Sequence, residues 1–289
     1  MAFQKTHYFS NKIIIFLALI WLLISSTANV LGKNEEDRRF SYEDYSSILL
    51  RYVDIDGLVN YKQLKKEHAK LDAFIDSIAS LREDEFSKWD DKEKIAFWIN
   101  SYNALTLKVV IDNYPIKPSF FASFLYPLNS IRQISGVWDK KRFKVMGKSM
   151  TLDEIENFHL RKEFNEPRIH FALVCASMGC PKLRNEPYEG KKLNLQLDNQ
   201  IEQFLANKNK FRIDNHKKVI YISPIFKWFA EDFVKSYSGH KVSSKYDEKE
   251  EAIINFISRY LDEEQSALLK NETYEIGYLD YDWSLNEQK

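Results

Sequence analysis

The run DKEKIAFWINSYNALTLKVVIDNY, Asp91 to Tyr114, constrains this chain more than any other stretch. At 100° per residue, Lys94, Ser101, Lys108 and Asp112 fall in one narrow stripe, which predicts the solvent face of a helix. Most of the remainder is apolar, including Ile95, Phe97, Trp98, Ile99, Tyr102, Leu105, Val109 and Val110. A helix that is apolar around most of its circumference must be buried, so the domain has to be built around this one. Pro115 ends it, because the residue before a proline is pushed out of the helical region. Asn100 and Asn103 lie away from the stripe and point inward. A buried amide without partners costs about 1–3 kcal/mol, so both are expected to be bonded to protein, water or ligand. Glu93 sits three residues after Asp90, the capping-box position.

Helical patterns dominate the first third. SYEDYSSILLRYV reads as a helix ending before the turn DIDG, and YKQLKKEHAKLDAFIDSIASL carries a helical apolar stripe. After Pro118 the elements alternate. FKVMGKSMT predicts a hairpin turning at Gly147. TLDEIENFHLRKEF predicts a helix capped by Thr151 and Glu154. RIHFALVCA is nearly all apolar and predicts a buried strand. LNLQLDNQIEQFLANK is a helix, and FRID and KVIYIS form a second hairpin around Asn215 and His216. Ser223 and Pro224 start a helix in SPIFKWFAEDF, whose aromatics read as core. EEAIINFISRYL is helical and TYEIGYLDYDWSLN extended. The expectation is an α+β domain, its helix-rich first third packed on a small, mainly antiparallel sheet.

Lys5 and Lys12 precede the apolar run Ile13–Ile24, and SSTA follows it. That order is the layout of a secretory signal peptide cleaved near Ala28. The run is shorter than the about 20 apolar residues of a comfortable bilayer span, although an uncleaved anchor is the competing reading. Residues 1–28 are therefore assigned to the signal, 29–40 to a polar linker and 41–289 to a single domain. Such a chain is exported to a periplasmic or extracellular space. Its 42 basic and 42 acidic residues are interspersed, which argues against nucleic acid as a partner. No spacing matches a zinc site, and there is no Gly-rich phosphate loop or Gly-x-Ser-x-Gly elbow. No metal or cofactor is expected, and the ligand class is a small molecule or peptide.

The chemistry concentrates in RIHFALVCASMGCP, Arg168 to Pro181, which holds both cysteines and one of six histidines. On a strand His170 and Cys175 would point to opposite faces. Cys180 follows Met-Gly in a loop and is expected to be the more accessible thiol, with His170 the nearest base in sequence. Three readings stay open: a packed Cys175, a Cys175–Cys180 disulfide fixing the SMG turn, or a cysteine nucleophile. In the last, Arg168, Ser177, Cys180 and the inward asparagines would converge at one strand end.

FWINSYNALTLK, RIHFALVCASMGCPKLR, SPIFKWFAEDF and YLDYDWSLN together resemble the domain of unknown function 547 family, in order, from about Val53 to Asn286. The resemblance implies membership without an agreed activity. The family often has a histidine after the Ile-Glu pair of the middle helix. Here that position is Asn157, with a histidine two residues later at His159, so the middle helix stays outside the catalytic set. The residue types support thiol-based acyl transfer, or hydrolysis of an amide or ester. Cys180 or Cys175 would attack, His170 would act as base, and Asn103 or Asn100 would orient the base or assist the oxyanion, with Glu93 nearby. This is similar to the logic of papain-like hydrolases in residue types only. The alternative is a non-catalytic envelope or extracellular binding domain with a Cys175–Cys180 disulfide.

Overall fold

The long helix is present as α5, and everything around it follows from its burial. The computed structural model describes residues 40–239, 246–271 and 274–289. The expected signal peptide, 1–28, and all of the expected linker except Phe40 lie outside them. Before α5 come α1 (Glu43–Tyr52), α2 (Tyr61–Lys66), α3 (Ala69–Ser80) and the short α4 (Glu83–Phe86). DIDG is a turn: Asp54 Oδ1 accepts the N–H groups of Asp56 and Leu58, both at 2.9 Å. The single helix expected over YKQLKKEHAKLDAF is instead two. The break falls at Glu67, whose carboxylate is held at 2.6 Å by the Tyr52 hydroxyl and at 2.6 Å by Arg51.

Helix α5 spans Asp91–Asn113 and starts with the Asp90–Glu93 capping box. From Ile95 to Ile111 every residue except Lys108 is buried. Ser101, expected in the solvent stripe, is 0% exposed. Lys94, Lys108 and Asp112 keep to the stripe, which fails at Ser101 because α5 is wrapped by α2, α3, residues 155–161 and the turn at Gly190–Lys192. Gly190 permits that last contact, since a Cβ there would lie 2.6 Å from Glu93 Cγ.

Next come the strands β1 (Phe143–Val145) and β2 (Lys148–Met150), paired antiparallel. Met146 and Gly147 both take positive φ, 49° and 73°, the two-residue turn that matches strand twist. Thr151 and Glu154 form the expected capping box on α6 (Leu152–Glu154). The expected α-helix then widens into a π-helix over Ile155–Arg161. Beyond it are α7 (Leu193–Ala206), β3 (Phe211–Asp214), β4 (Val219–Ile222), α8 (Pro224–Trp228), α9 (Ala230–Tyr237), α10 (Glu248–Ile257), α11 (Glu263–Asn271) and β5 (Glu275–Tyr278). β3 and β4 form the expected hairpin, and β5 adds to β4 in parallel. Phe171, Phe226, Phe233 and Phe256 interlock between this sheet and α7–α10, and Tyr42–Lys289 form one compact unit. Fold class is α+β, mostly helical.

One expectation fails informatively. RIHFALVCA is not a strand: Pro167–Phe171 is a single 3-10 turn, followed by irregular chain. Side-chain amides replace a neighbouring strand. Asn103 donates to the Ala172 carbonyl at 2.9 Å and accepts the Val174 N–H at 2.9 Å, while Gln200 donates to the Phe171 carbonyl at 3.1 Å. Asn100 does the same for Tyr188, donating to its carbonyl at 2.8 Å and accepting its N–H at 2.9 Å. An apolar run can thus be buried without joining a sheet, provided its backbone groups find partners.

Asn103→Ala would orphan two buried backbone groups at about 1–3 kcal/mol each, so a loss of about 2–6 kcal/mol in unfolding free energy is expected by urea denaturation. A loss below about 0.5 kcal/mol would show that these bonds do not organise the segment.

Candidate functional site

The segment after the 3-10 turn is shaped by a strained residue and a missing side chain. Ala176 stands at φ 59°, a left-handed conformation that only a well-held non-glycine residue keeps. It is held from the C-terminal side: Asn286 donates its N–H to the Ala176 carbonyl at 3.2 Å, and Ser177 bridges Leu285. Met178 and Gly179 donate to the carbonyls of Ser284 and Asp282 at 2.8 and 2.7 Å. Gly179 has no side chain because the Tyr281 ring occupies the space; a Cβ would lie 2.5 Å from it.

That contact sets the Tyr281 hydroxyl 3.2 Å from Cys180 Sγ and 3.4 Å from Cys175 Sγ. Ser177 Oγ lies 3.3 Å from Cys180 Sγ and 3.2 Å from Cys175 Sγ, and the Cys175 N–H donates to Cys180 Sγ at 3.0 Å. Both cysteines are free thiols, not the disulfide of the alternative reading. The expected order of access is also reversed. Cys180 is 5% exposed and Cys175 is half-buried, because the loop doubles back over its own start.

The two sulfurs are electrostatically unequal. Burial opposes ionisation of Cys180, but hydrogen bonds from Cys175, Ser177 and Tyr281 and from the Ser177 backbone outweigh it, and its pKa is pushed down to about 6. The bond shared with Cys180, together with burial, pushes the Cys175 thiol up. Burial likewise keeps Tyr281 protonated and able to donate. Lys210 Nζ donates to the carbonyls of Met178 and, at 3.1 Å, Cys180, placing a cation under the loop. Cys180 is therefore the thiolate of the pair, and Cys175 its donor.

His170 is buried on the 3-10 turn, stacked on Phe229 with ring centroids 3.8 Å apart. Its Nε2 lies 2.9 Å from Asp232 Oδ2, while its buried Nδ1 has no partner among the described residues. Burial pushes its pKa down, against the pull of Asp232, so the ring is neutral near pH 7. Asp232 fixes the proton on Nε2, which leaves Nδ1 as a basic lone pair. Burial would raise Asp232, but bonds from His170, Arg161 at 2.6 Å and Lys235 at 3.0 Å hold it well below the usual carboxylate range. Asp232 and Phe229 come from SPIFKWFAEDF, read from sequence as core alone. A buried acid in an otherwise aromatic helix was the available signal there.

His170, Phe229, Tyr281 and both cysteines line a cavity of about 580 Å³ with Glu156, Arg132 and an aromatic wall that includes Trp138, Trp228 and Trp283. The π-helix turns Glu156 and Asn157 into it, whereas His159 stacks on Trp98 at 4.2 Å. Burial, against the pull of Arg161, pushes Glu156 up to about 7. Sequence reasoning set this helix aside because its histidine was displaced; the Ile-Glu pair was the usable signal.

Not every expected residue arrives. His170 and both cysteines line the cavity, but no hydrogen bond joins the imidazole to either sulfur. Asn100 and Asn103 do not line it, and their amides are spent on backbone. Glu93 closes the α5 cap, with the Asp90 N–H donating to it at 3.2 Å. Arg168 is held by Glu166 and Asp198 away from the cavity. Among the described residues, no group of three His, Cys, Asp or Glu is placed to hold a metal ion.

Residues 86–205 match the model of a family described as protein of unknown function, DUF547. The chain carries a DUF547 domain. The DUF547 stretch includes α5, Arg132, Glu156, His170 and both cysteines, whereas Asp232, Tyr281 and Trp283 lie beyond it. SPIFKWFAEDF and YLDYDWSLN, which resemble the family in sequence, thus fall outside the matched stretch. No curated protein and no solved structure matches the chain.

Because the thiolate is the reactive form, labelling of Cys180 by iodoacetamide should rise with pH around a midpoint near 6 and then level off. Tyr281→Phe removes a donor and should move that midpoint upward. A single midpoint near the ordinary thiol value, unchanged by Tyr281→Phe, would contradict the assignment of the thiolate.

Proposed function

We propose that this protein is an exported thiol hydrolase or acyltransferase acting on an amide or ester, with Cys180 as nucleophile. What carries the reading is the convergence of donors on Cys180 Sγ, in the wall of a cavity that also holds a neutral histidine with a free Nδ1. The thiolate attacks the carbonyl carbon, a C–S bond forms, and the carbonyl oxygen takes the charge. The Tyr281 hydroxyl, beside the sulfur, is the donor best placed for that oxyanion; Asn100 and Asn103 are not. The C–N or C–O bond then breaks, and the leaving group takes a proton from Glu156, which is partly protonated near neutrality.

A water, or an acceptor alcohol or amine, next attacks the thioester. Nδ1 of His170 takes its proton, and Asp232 stabilises the imidazolium that forms. The C–S bond breaks, the thiolate returns, and the His170 proton passes through solvent to restore Glu156. Separating nucleophile from base is workable here because Cys180 is ionised before substrate arrives. Export rests on the N-terminal layout of Lys5, Lys12 and the apolar run 13–24.

Incubation with p-nitrophenyl acetate, followed by intact and peptide mass spectrometry, should find an acyl adduct on Cys180. Cys180→Ala should lose both adduct and turnover. His170→Gln and Asp232→Asn should retain the adduct and slow its loss by about 10²–10⁴-fold. Turnover by Cys180→Ala equal to wild type would sink the reading.

In whole cells of an exporting host, the mature chain should begin near Asn29. A chain retaining residues 1–28 and pelleting with membranes would identify an uncleaved anchor instead.

A further inference from the structure

The thiol chemistry leaves the cationic side chain of the cavity, Arg132, unused. Arg132 sits on a short turn, Ile131–Gln133, capped by Ser130. Its guanidinium carbon lies 4.8 Å from the ring centroid of Tyr126, 5.0 Å from Trp138 and 4.3 Å from Trp283. The turn is tied to the loop that brings Tyr126: Gln133 donates to the carbonyls of Tyr126 at 3.3 Å and Pro127 at 3.0 Å. Arginine and cage are one assembly.

Four other arginines are spoken for. Arg142, Arg161, Arg168 and Arg184 each hold a carboxylate. Among the described residues Arg132 has no ion pair and no side-chain hydrogen bond, and its Nε is buried without a partner. Asp139, Asp153 and Glu156 line the same cavity, yet none of them is bonded to it. Rings stacked on a guanidinium cover its faces and leave the in-plane N–H fork for a planar anion. A buried donor without a partner is the kind of cost a protein carries where a ligand will supply the acceptor.

We propose that Arg132 receives a carboxylate at one end of the substrate whose ester or amide carbonyl reaches Cys180; this rests on the thiol-transfer reading above. The substrate class is an acyl donor bearing a free carboxylate, of amino-acid or short-peptide size. A doubly charged phosphate fits less well. Among the described residues, Arg132 is the one lysine or arginine lining the cavity, and three carboxyl groups share the walls. One guanidinium matches one negative charge. The volume, about 580 Å³, lies within the roughly 300–1,000 Å³ of small-molecule sites.

The test compares labelling of Cys180 by matched reagents with and without a carboxylate. The pairs are iodoacetate against iodoacetamide, and 3-maleimidopropionate against N-ethylmaleimide, which differ in reach. The denatured protein supplies the intrinsic ratio. At least one pair should show an anionic-to-neutral rate ratio about tenfold above the denatured value, falling with added salt. Arg132→Gln should return that ratio to the denatured value. Arg132→Lys, which keeps the charge but loses the fork, should fall between and serves if Arg132→Gln does not fold. Ratios at the denatured value for both pairs, or a raised ratio that survives Arg132→Gln, overturn the proposal.

A readout that does not need the sulfur separates the two readings. N-acetylglycine, unlike N-acetylglycinamide, should change the tryptophan fluorescence of wild type and not of Arg132→Gln. If the thiols prove inert while this response appears, the nucleophile reading fails and the carboxylate site stands. If Cys180 labels readily but neither carboxylate effect appears, the Arg132 proposal fails alone.

Discussion

Two asparagines on a buried helix determine how this protein is put together. Asn103 gives the segment at Ala172–Val174 both an acceptor and a donor, and Asn100 does the same for Tyr188. Each amide acts as one rung of a sheet that is otherwise absent. In a true strand His170 and Cys175 would face opposite sides of the layer. Freed from that alternation, the chain can present the imidazole, both thiols and their neighbours to a single cavity. The buried amides are thus structural, and the site depends on them without containing them.

The site gains its character from unequal treatment of two chemically identical side chains. Cys175 and Cys180 share the same hydroxyl neighbours, Ser177 and Tyr281. What separates them is direction: the Cys175 N–H points at the sulfur of Cys180, and Lys210 lies under the carbonyl of Cys180. Cys180 Sγ gathers a backbone N–H besides the hydroxyls, whereas Cys175 Sγ has the hydroxyls alone. Asp232 does the comparable work for His170 by choosing which ring nitrogen carries the proton.

The sequence carried local features well and long-range ones poorly. The capping boxes at Asp90 and Thr151, the turn at Gly147 and the helix start at Ser223-Pro224 depend on neighbours a few residues away, and all were legible. The inward direction of Asn100 and Asn103 followed from helix geometry. The strand expected over RIHFALVCA was not, because its hydrogen bonds go to amides about seventy residues earlier and about thirty later, which periodicity does not register. Asp232, Tyr281 and Arg132 were missed for the same reason: each acts on partners far away in sequence. Glu156 was hidden by a widened helical turn, a local geometry without a strong sequence signature, although such turns often mark functional sites.

The pairing of the thiol loop with residues 282–286 has a consequence for when the chemistry can begin. Tyr281 lies 101 residues after Cys180, and the strained Ala176 is held in part by Asn286. A ribosome that has just finished the cysteines has made a thiol of ordinary reactivity in a loop with nothing to hold its shape. Only after about a hundred further residues have been added can Cys180 gather the donors that favour its thiolate. That delay acts as a safety catch: a chain cut short before Tyr281 and Asn286 carries both cysteines without the groups that shape their loop and favour the Cys180 thiolate.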